Sequence, residues 1–164
     1  MDYLKEPLRL RQIDRTAVVP HIGLGWPTRP RKSDKTSFRI SHAGNLSVER
    51  DPREFLRAFA GAVERYPNIR FEFNLIGKMP TQIRHEVDIL GLANVVKYTP
   101  DLPFLACLEQ MEDADALLLI EAPVENGIFF PSKVIDYCEV GRPIFSISPR
   151  EGVMRDLMDQ YELG

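Results

Sequence analysis

From Ser37 to the end of the chain, strand-patterned and helix-patterned stretches alternate, and this constrains the fold more than any other feature. Phe38 to Ala43 reads as a strand stopped by Gly44. Asp51-Pro52-Arg53-Glu54 predicts a helix start, with Asp as N-cap, Pro in the first helical position and Glu at the third. Phe55, Phe59, Ala62, Val63 and Tyr66 then follow helical spacing. Residues 69–76 predict a strand ending at Gly77, 81–90 a helix ending at Gly91, and 95–98 a short strand. A helix over 102–112 places Leu105, Leu108 and Met111 on one face. Ala116 to Ile120 is an unbroken apolar run, as expected of a strand buried on both faces. A helix over 132–140, a strand over 143–147 and a helix over 151–161 with Val153, Leu157 and Met158 inward complete the series.

Repeated strand–helix units imply an α/β fold: a Rossmann-like three-layer parallel sheet with helices on both faces. A chain of 164 residues is one domain's worth and can bury a core. Such sheets bind ligands beyond the carboxyl ends of their strands, where the strand order reverses. That rule selects the loops at Gly44 to Arg50, Gly77-Lys78, Thr99 to Asp101 and Glu121 to Lys133.

Residues 1–36 differ from the rest. They are irregular and Pro-rich, with a short strand-like run at 17–19, and hold a net charge of +4 against -7 for the remainder. A basic arm can serve nucleic acid or an anionic membrane, but no aromatic–basic interleaving accompanies it. The expectation is a solvated lead-in and no nucleic-acid partner. No apolar run approaches membrane-spanning length. Cys107 and Cys138 sit in apolar helical patterns and predict buried free thiols in a cytoplasmic protein. His21, His42 and His85 are scattered and form no metal signature.

The segment from Pro131 to Ile144 carries the most chemistry. It reads as a loop, a helix starting at Ser132-Lys133, a carboxylate at Asp136 one turn in, a stop at Gly141 and a new strand. A helix start offers free N–H groups and a positive dipole end to a phosphate. A carboxylate one turn further can bond the hydroxyls of an attached ribose. Lys133 is a cation where the helix dipole disfavours one, a reason to expect an anionic partner. Tyr137, Val134 and Ile135 are expected in the core. Ser132 is expected as N-cap.

These residues resemble those of the retaining family 4 glycosyltransferases of the GT-B fold. Gly44-Asn45-Leu46-Ser47-Val48-Glu49-Arg50-Asp51 is similar to the family's Gly-Arg-Leu…Lys-Gly loop, and Phe73 to Gly77 to its Leu-x-Ile-x-Gly strand. Asp113 to Leu118 resembles Ala-Asp-x-x-Leu, and Pro131 to Tyr137 resembles the donor motif Pro-x-Lys-x-x-Glu-Tyr. Val18 to Gly23 resembles the linker entering the donor domain. The resemblance spans about residues 17–160.

The resemblance implies one half of a GT-B fold, with 1–36 as lead-in and 37–164 as the nucleotide-sugar donor domain. It implies a preceding acceptor domain of about 170 residues and a longer C-terminus. The partner would be a nucleotide sugar, bound as substrate without a cofactor or metal, and any peripheral membrane association would run through the acceptor domain. Arg50 matches the second member of the family's cationic pair, while Asn45 stands at the first. Asp136 matches the ribose carboxylate. The other donor carboxylate falls on Ile128, with Glu125 three residues earlier as a substitute if the loop bulges. The expected binding set is Gly44, Asn45, Arg50, Gly77, Lys78, Thr99, Glu125, Ser132, Lys133 and Asp136; no catalytic residue is assigned. The expected reaction is hexosyl transfer to a glycan or lipid-linked acceptor. A non-catalytic nucleotide-sugar binding module and a nucleotide-sugar epimerase fragment of the same fold remain as alternatives.

Overall fold

Strand β1 (Ser37–Ala43) pairs in parallel with β2 (Arg70–Ile76) on one side and β4 (Ala116–Ile120) on the other. β3 (Val96–Thr99) continues the sheet beyond β2, and β5 (Ile144–Ile147) beyond β4, giving the order β3-β2-β1-β4-β5 with all pairs parallel. The computed structural model describes residues 23–27, 29–30, 36–124, 127 and 129–161. The expected strand at 17–19 and most of the family-like linker lie outside them.

Helices α1 (Arg53–Arg65) and α2 (Thr81–Ile89) cover one face of the sheet, and α3 (Phe104–Glu112), α4 (Lys133–Val140) and α5 (Val153–Tyr161) the other. Two apolar cores result. The first joins Ile40, Phe73, Leu75, Leu118 and Ile120 to Leu56, Phe59, Ile83 and Val87. Phe55, Phe59, Phe71 and Phe73 interlock within it, with Phe55 and Phe73 ring centroids 4.8 Å apart. The second joins Leu117, Leu119 and Ile144 to Leu108, Met111, Val134, Tyr137 and Met154. All five residues of β4 are buried, as its unbroken apolar run requires.

Several local expectations are corrected. The first helix starts one residue late: Pro52 occupies the cap position at φ -84°, ψ 2°, and the Asp51 carboxylate accepts the Arg53 N–H at 3.0 Å from outside. Leu105 is exposed, because α3 turns Leu108, Met111 and Glu112 inward while its first turn overhangs. Cys138 is exposed and Cys107 half-buried. On α4 the inward stripe is Val134, Tyr137 and Val140, which places Cys138 about 100° round from Tyr137. Ile135 is half-buried for the same reason. In α5 Met154 is the buried residue, flanked by the partly buried Leu157 and Met158, while Val153 is half-buried.

Of the described lead-in residues 23–27 and 29–30 all but the half-buried Trp26 are exposed, and three hydrogen bonds tie this stretch to the domain. The Trp26 indole N–H donates to Glu112 Oε1 at 2.8 Å, and the Gly25 N–H donates to Glu139 Oε1 at 2.6 Å. Arg142 donates to the Arg29 carbonyl at 2.8 Å. Trp26 can cover the apolar second core while its N–H satisfies a carboxylate that is 8% exposed.

Candidate functional site

The strand order reverses between β1 and β4. The chain winds outward through β2 and β3, then returns through α3 to β4. At the carboxyl ends of these strands lies a cavity of about 380 Å³, lined by Arg50, Glu121, Val124, Phe129, Ser132 and Lys133 among others. Two sequence-distant loops thus meet as expected, one after β1 and one after β4.

Lys133 is central to it. A Cβ placed on Gly44, whose φ is +130°, would stand 2.5 Å from Lys133 Nζ, so only glycine leaves room for the ammonium there. Nζ is buried and makes no hydrogen bond. Burial, and then the charge of Arg50, lower the ammonium to about 8. Arg50 is exposed on the cavity rim and forms no ion pair among the described residues; only its main-chain N–H is engaged, donating to Ser47 Oγ at 3.2 Å.

The neighbouring loops form a rigid floor. Gly44 and Gly77 approach so closely that a Cβ on Gly77, at φ +122°, would be 2.8 Å from the Gly44 carbonyl oxygen. The Gly44 N–H donates to Ile76 O and the Gly77 N–H to Thr99 O. Asn45 Oδ1 accepts the Lys78 N–H at 3.0 Å, and the Leu46 N–H donates to Lys78 O. Asn45 therefore uses its oxygen within the protein, and Lys78 takes part through its main chain, its side chain being exposed and outside the cavity lining. The Thr99 hydroxyl donates to Asn74 Oδ1 at 2.8 Å, inside the sheet.

Helix α4 begins tightly. The Val134 and Ile135 N–H groups bond the Pro131 and Ser132 carbonyls at 3.0 and 3.1 Å, which leaves the N–H groups of Ser132 and Lys133 for an anion. Ser132 stands at the cap position but its hydroxyl caps nothing. Asp136 is half-buried one turn in, and its charge raises the Cys107 thiol, an effect second to burial. Glu125 and Ile128 fall outside the described residues.

Two further groups stand outside the expected binding set, although Glu121 opens the loop selected after β4. Glu121, the first residue after β4, has one carboxylate oxygen buried without a hydrogen bond. Burial raises it to about 7, Arg50 opposing. His42 is fully buried on β1; its Nδ1–H donates to Leu118 O at 2.8 Å and its Nε2 is unpartnered. Burial first, then Lys133 and Arg50, push it down to about 3, so the ring is neutral. Strand-end position was the available signal for Glu121. For His42 it was its place two residues before Gly44. Below them Tyr137 ties the layers together, its hydroxyl accepting the Ala43 N–H at 3.0 Å and donating to Leu118 O at 3.1 Å.

Among the described residues neither Arg50 nor Lys133 forms an ion pair, and the two line the cavity beside the first turn of α4, an arrangement suited to an anion. No cluster of three or more His, Cys, Asp or Glu suited to a metal occurs among the described residues, and none of their helices is long and apolar enough to cross a membrane.

No protein-family model and no curated protein matches the chain. Solved structures do. The lipopolysaccharide outer core galactosyltransferase WaaB, in its apo form, superposes with a TM-score of 0.66 over 93% of this chain and 43% of its own, at 16% identity. Anabaena Alr3699/HepE, solved in complex with UDP and glucose, gives 0.56 over 74% of this chain and 32% of its own, at 17% identity. The pneumococcal O-GlcNAc transferase GtfA, in complex with UDP and GlcNAc, gives 0.53 over 67% and 20%, at 13% identity. The chain spans less than half the length of each of them. At such identities the likeness is one of fold: the chain has the Rossmann-like α/β architecture found within glycosyltransferases.

Proposed function

We propose that this chain is the donor-binding domain of a family 4-like retaining glycosyltransferase, holding the diphosphate of a nucleotide sugar between Arg50 and Lys133. The observation that carries the reading is the Lys133 ammonium, buried against Gly44 with no hydrogen-bond partner among the described residues. A buried cation without a counter-ion is costly unless a ligand supplies one. The Ser132 and Lys133 N–H groups add donors, and Asp136 accepts the ribose hydroxyls. As the sugar–phosphate bond breaks, negative charge grows on the leaving diphosphate, and fixed cations in a half-dry cavity stabilise it. A second, acceptor-binding domain supplies the other wall of the cleft and any contact with a membrane, and the protein works in the cytoplasm on a glycan or lipid-linked acceptor.

Titration with UDP, GDP and ADP, followed by NMR, tests this. One of them is expected to bind at about 0.1–1 mM, as suits a domain that by itself forms one wall of the proposed cleft. No shift at residues 44–50 or 131–136 with any of the three would falsify the reading. The placement of Asn45 favours a second possibility, a nucleotide-sugar binding module without turnover, since the first loop brings one cation and its amide oxygen is already engaged. Diphosphate release by the full-length protein, present or absent over hours with acceptor, decides between the two.

A further inference from the structure

The loop between β4 and α4 supplies the apolar wall of the cavity: Val124, Phe129, Phe130 and Pro131 line it together with Lys133. The middle of this loop is tied to the turn before α5. The Gly127 N–H donates to Glu151 O at 3.1 Å, and the Gly127 carbonyl accepts the Val153 N–H at 2.8 Å. Gly127 and Gly152 thereby form an isolated parallel bridge, and both are buried. The bridge also gives the first N–H of α5 a partner that the helix itself cannot supply. Neither position admits a side chain easily. A Cβ on Gly152 would collide with Gly127 O and stand 2.6 Å from Gly127 Cα, and its φ of +138° is one that L side chains rarely adopt. A Cβ on Gly127 would come within 3.3 Å of Glu151 O and Pro149 Cγ. Neither glycine lines the cavity, yet Phe129 is within about 7 Å of chain from Gly127, and Val124 within about 11 Å.

We propose that Gly127 and Gly152 form a clasp that holds the apolar wall against Lys133 and keeps water from its ammonium, so that two residues outside the cavity position the anion site. The inference rests on the reading above for its ligand and on the contact between the glycines for its mechanism. Excluding water strengthens the attraction between a fixed cation and a phosphate, because less solvent is left to screen it. Burial is also what chiefly lowers Lys133 to about 8. The titratable and charged groups that bear on it, Arg50 after β1, His42 on β1 and Cys107 on α3, sit outside the clasped loop. Loosening the clasp should therefore reach Lys133 through its hydration and not through its charged neighbours.

The test follows Lys133 itself, by carbon NMR of the whole chain labelled at lysine, with Lys133→Met identifying its signal. In wild type the signal is expected to titrate near 8, and in Gly152→Ala to move toward 10.5. Affinity for whichever of UDP, GDP and ADP binds wild type should fall about fivefold or more in the same variant, as solvent returns to screen the ammonium. Gly127→Ala, with its milder contacts, should shift both readouts the same way by less, and it keeps the test decisive if Gly152→Ala does not fold. Gly91→Ala is the control for backbone strain alone: Gly91 follows α2 with φ +68°, and no atom lies within 4 Å of its Cβ. It should leave both readouts at their wild-type values. An unchanged Lys133 titration in the clasp variants overturns the inference, even where affinity falls, because the loss then has another origin. Changes of equal size in Gly91→Ala overturn it as well. Absence of binding by wild type to all three diphosphates overturns the nucleotide reading, while the titration still decides the clasp.

Discussion

The two ends of the sheet treat charge in opposite ways. At the amino ends, charges are paired: Arg39 Nε lies 2.7 Å from Glu72, Lys97 reaches the same carboxylate, and the Arg39 N–H donates to Asp115 at 2.7 Å. A hollow of about 320 Å³ lies among them, bordered by Ser37, Arg70 and these partners. At the carboxyl ends Lys133, Glu121 and His42 each bury an unpartnered polar atom. At the amino ends Arg39 Nε, though buried without a well-directed hydrogen bond, still has the Glu72 carboxylate beside it. The proposed ligand would bond such groups at the carboxyl ends, where buried polar atoms otherwise cost free energy.

The largest expected effect of breaking this contrast is on binding. Lys133→Met keeps the length of the side chain and removes its charge; it should cost about 3 kcal/mol of nucleoside-diphosphate affinity. Arg50→Ala should cost about 1.5–3 kcal/mol. Calorimetry measures both, and unaltered affinity in either removes that residue from the site.

Stability should move the other way for Lys133. An ammonium lowered from 10.5 to about 8 costs the folded state about 3 kcal/mol at neutral pH, so Lys133→Met should be the more stable protein. Below about 8 the lysine is charged in both states and the cost is fully present. Between about 8 and 10.5 the unfolded chain holds more protons, so wild-type stability gains on the variant as pH rises. Glu121, raised from 4.5 to about 7, weakens the fold over its own lower window as pH rises, so a comparison above pH 8 isolates Lys133. Denaturant midpoints at pH 7 and 10 for the two proteins check this; a constant gap between them contradicts a buried charged Lys133.

Much of this contrast was legible in the sequence. The strand Ala116–Ile120 was bounded correctly because an apolar run without polar interruption has one common outcome in an α/β chain. Lys133, Gly44 and Arg50 were placed in one site because strand-end loops converge in any such sheet. Glu121 fell within a selected loop but His42 did not, and the burial of both was not legible, because it depends on β1 and β4 becoming neighbours, which joins residues over 70 positions apart in the chain. Thr99 was assigned to the binding set from its strand-end position; its hydroxyl donates to Asn74 Oδ1, a pairing between strands that spacing within one strand does not encode.

At the paired end the effect should be smaller and confined to stability. Arg39→Ala removes the contacts to Glu72 and Asp113 but leaves Lys97 on Glu72. With Arg39 about one-third exposed, the loss should be about 1 kcal/mol in denaturant unfolding, without change in nucleotide affinity. A fall in affinity as large as that from Arg50→Ala would mean that the two ends are coupled.

The smallest effect distinguishes side chain from main chain within the floor of the site. Lys78 belongs to the expected binding set, and in the structure its peptide unit is engaged: its N–H is held by Asn45 Oδ1 and its carbonyl accepts the Leu46 N–H. Lys78→Ala keeps that peptide unit and should change neither stability nor diphosphate affinity by more than about 0.5 kcal/mol. Asn45→Ala removes the acceptor and frees the loop carrying Gly44, at a cost of about 1 kcal/mol in stability and a weaker diphosphate complex. If Lys78→Ala instead weakens diphosphate binding as much as Arg50→Ala does, the bound phosphates lie over β2 as well as at the junction of β1 and β4. The site would then extend along the sheet away from Glu121.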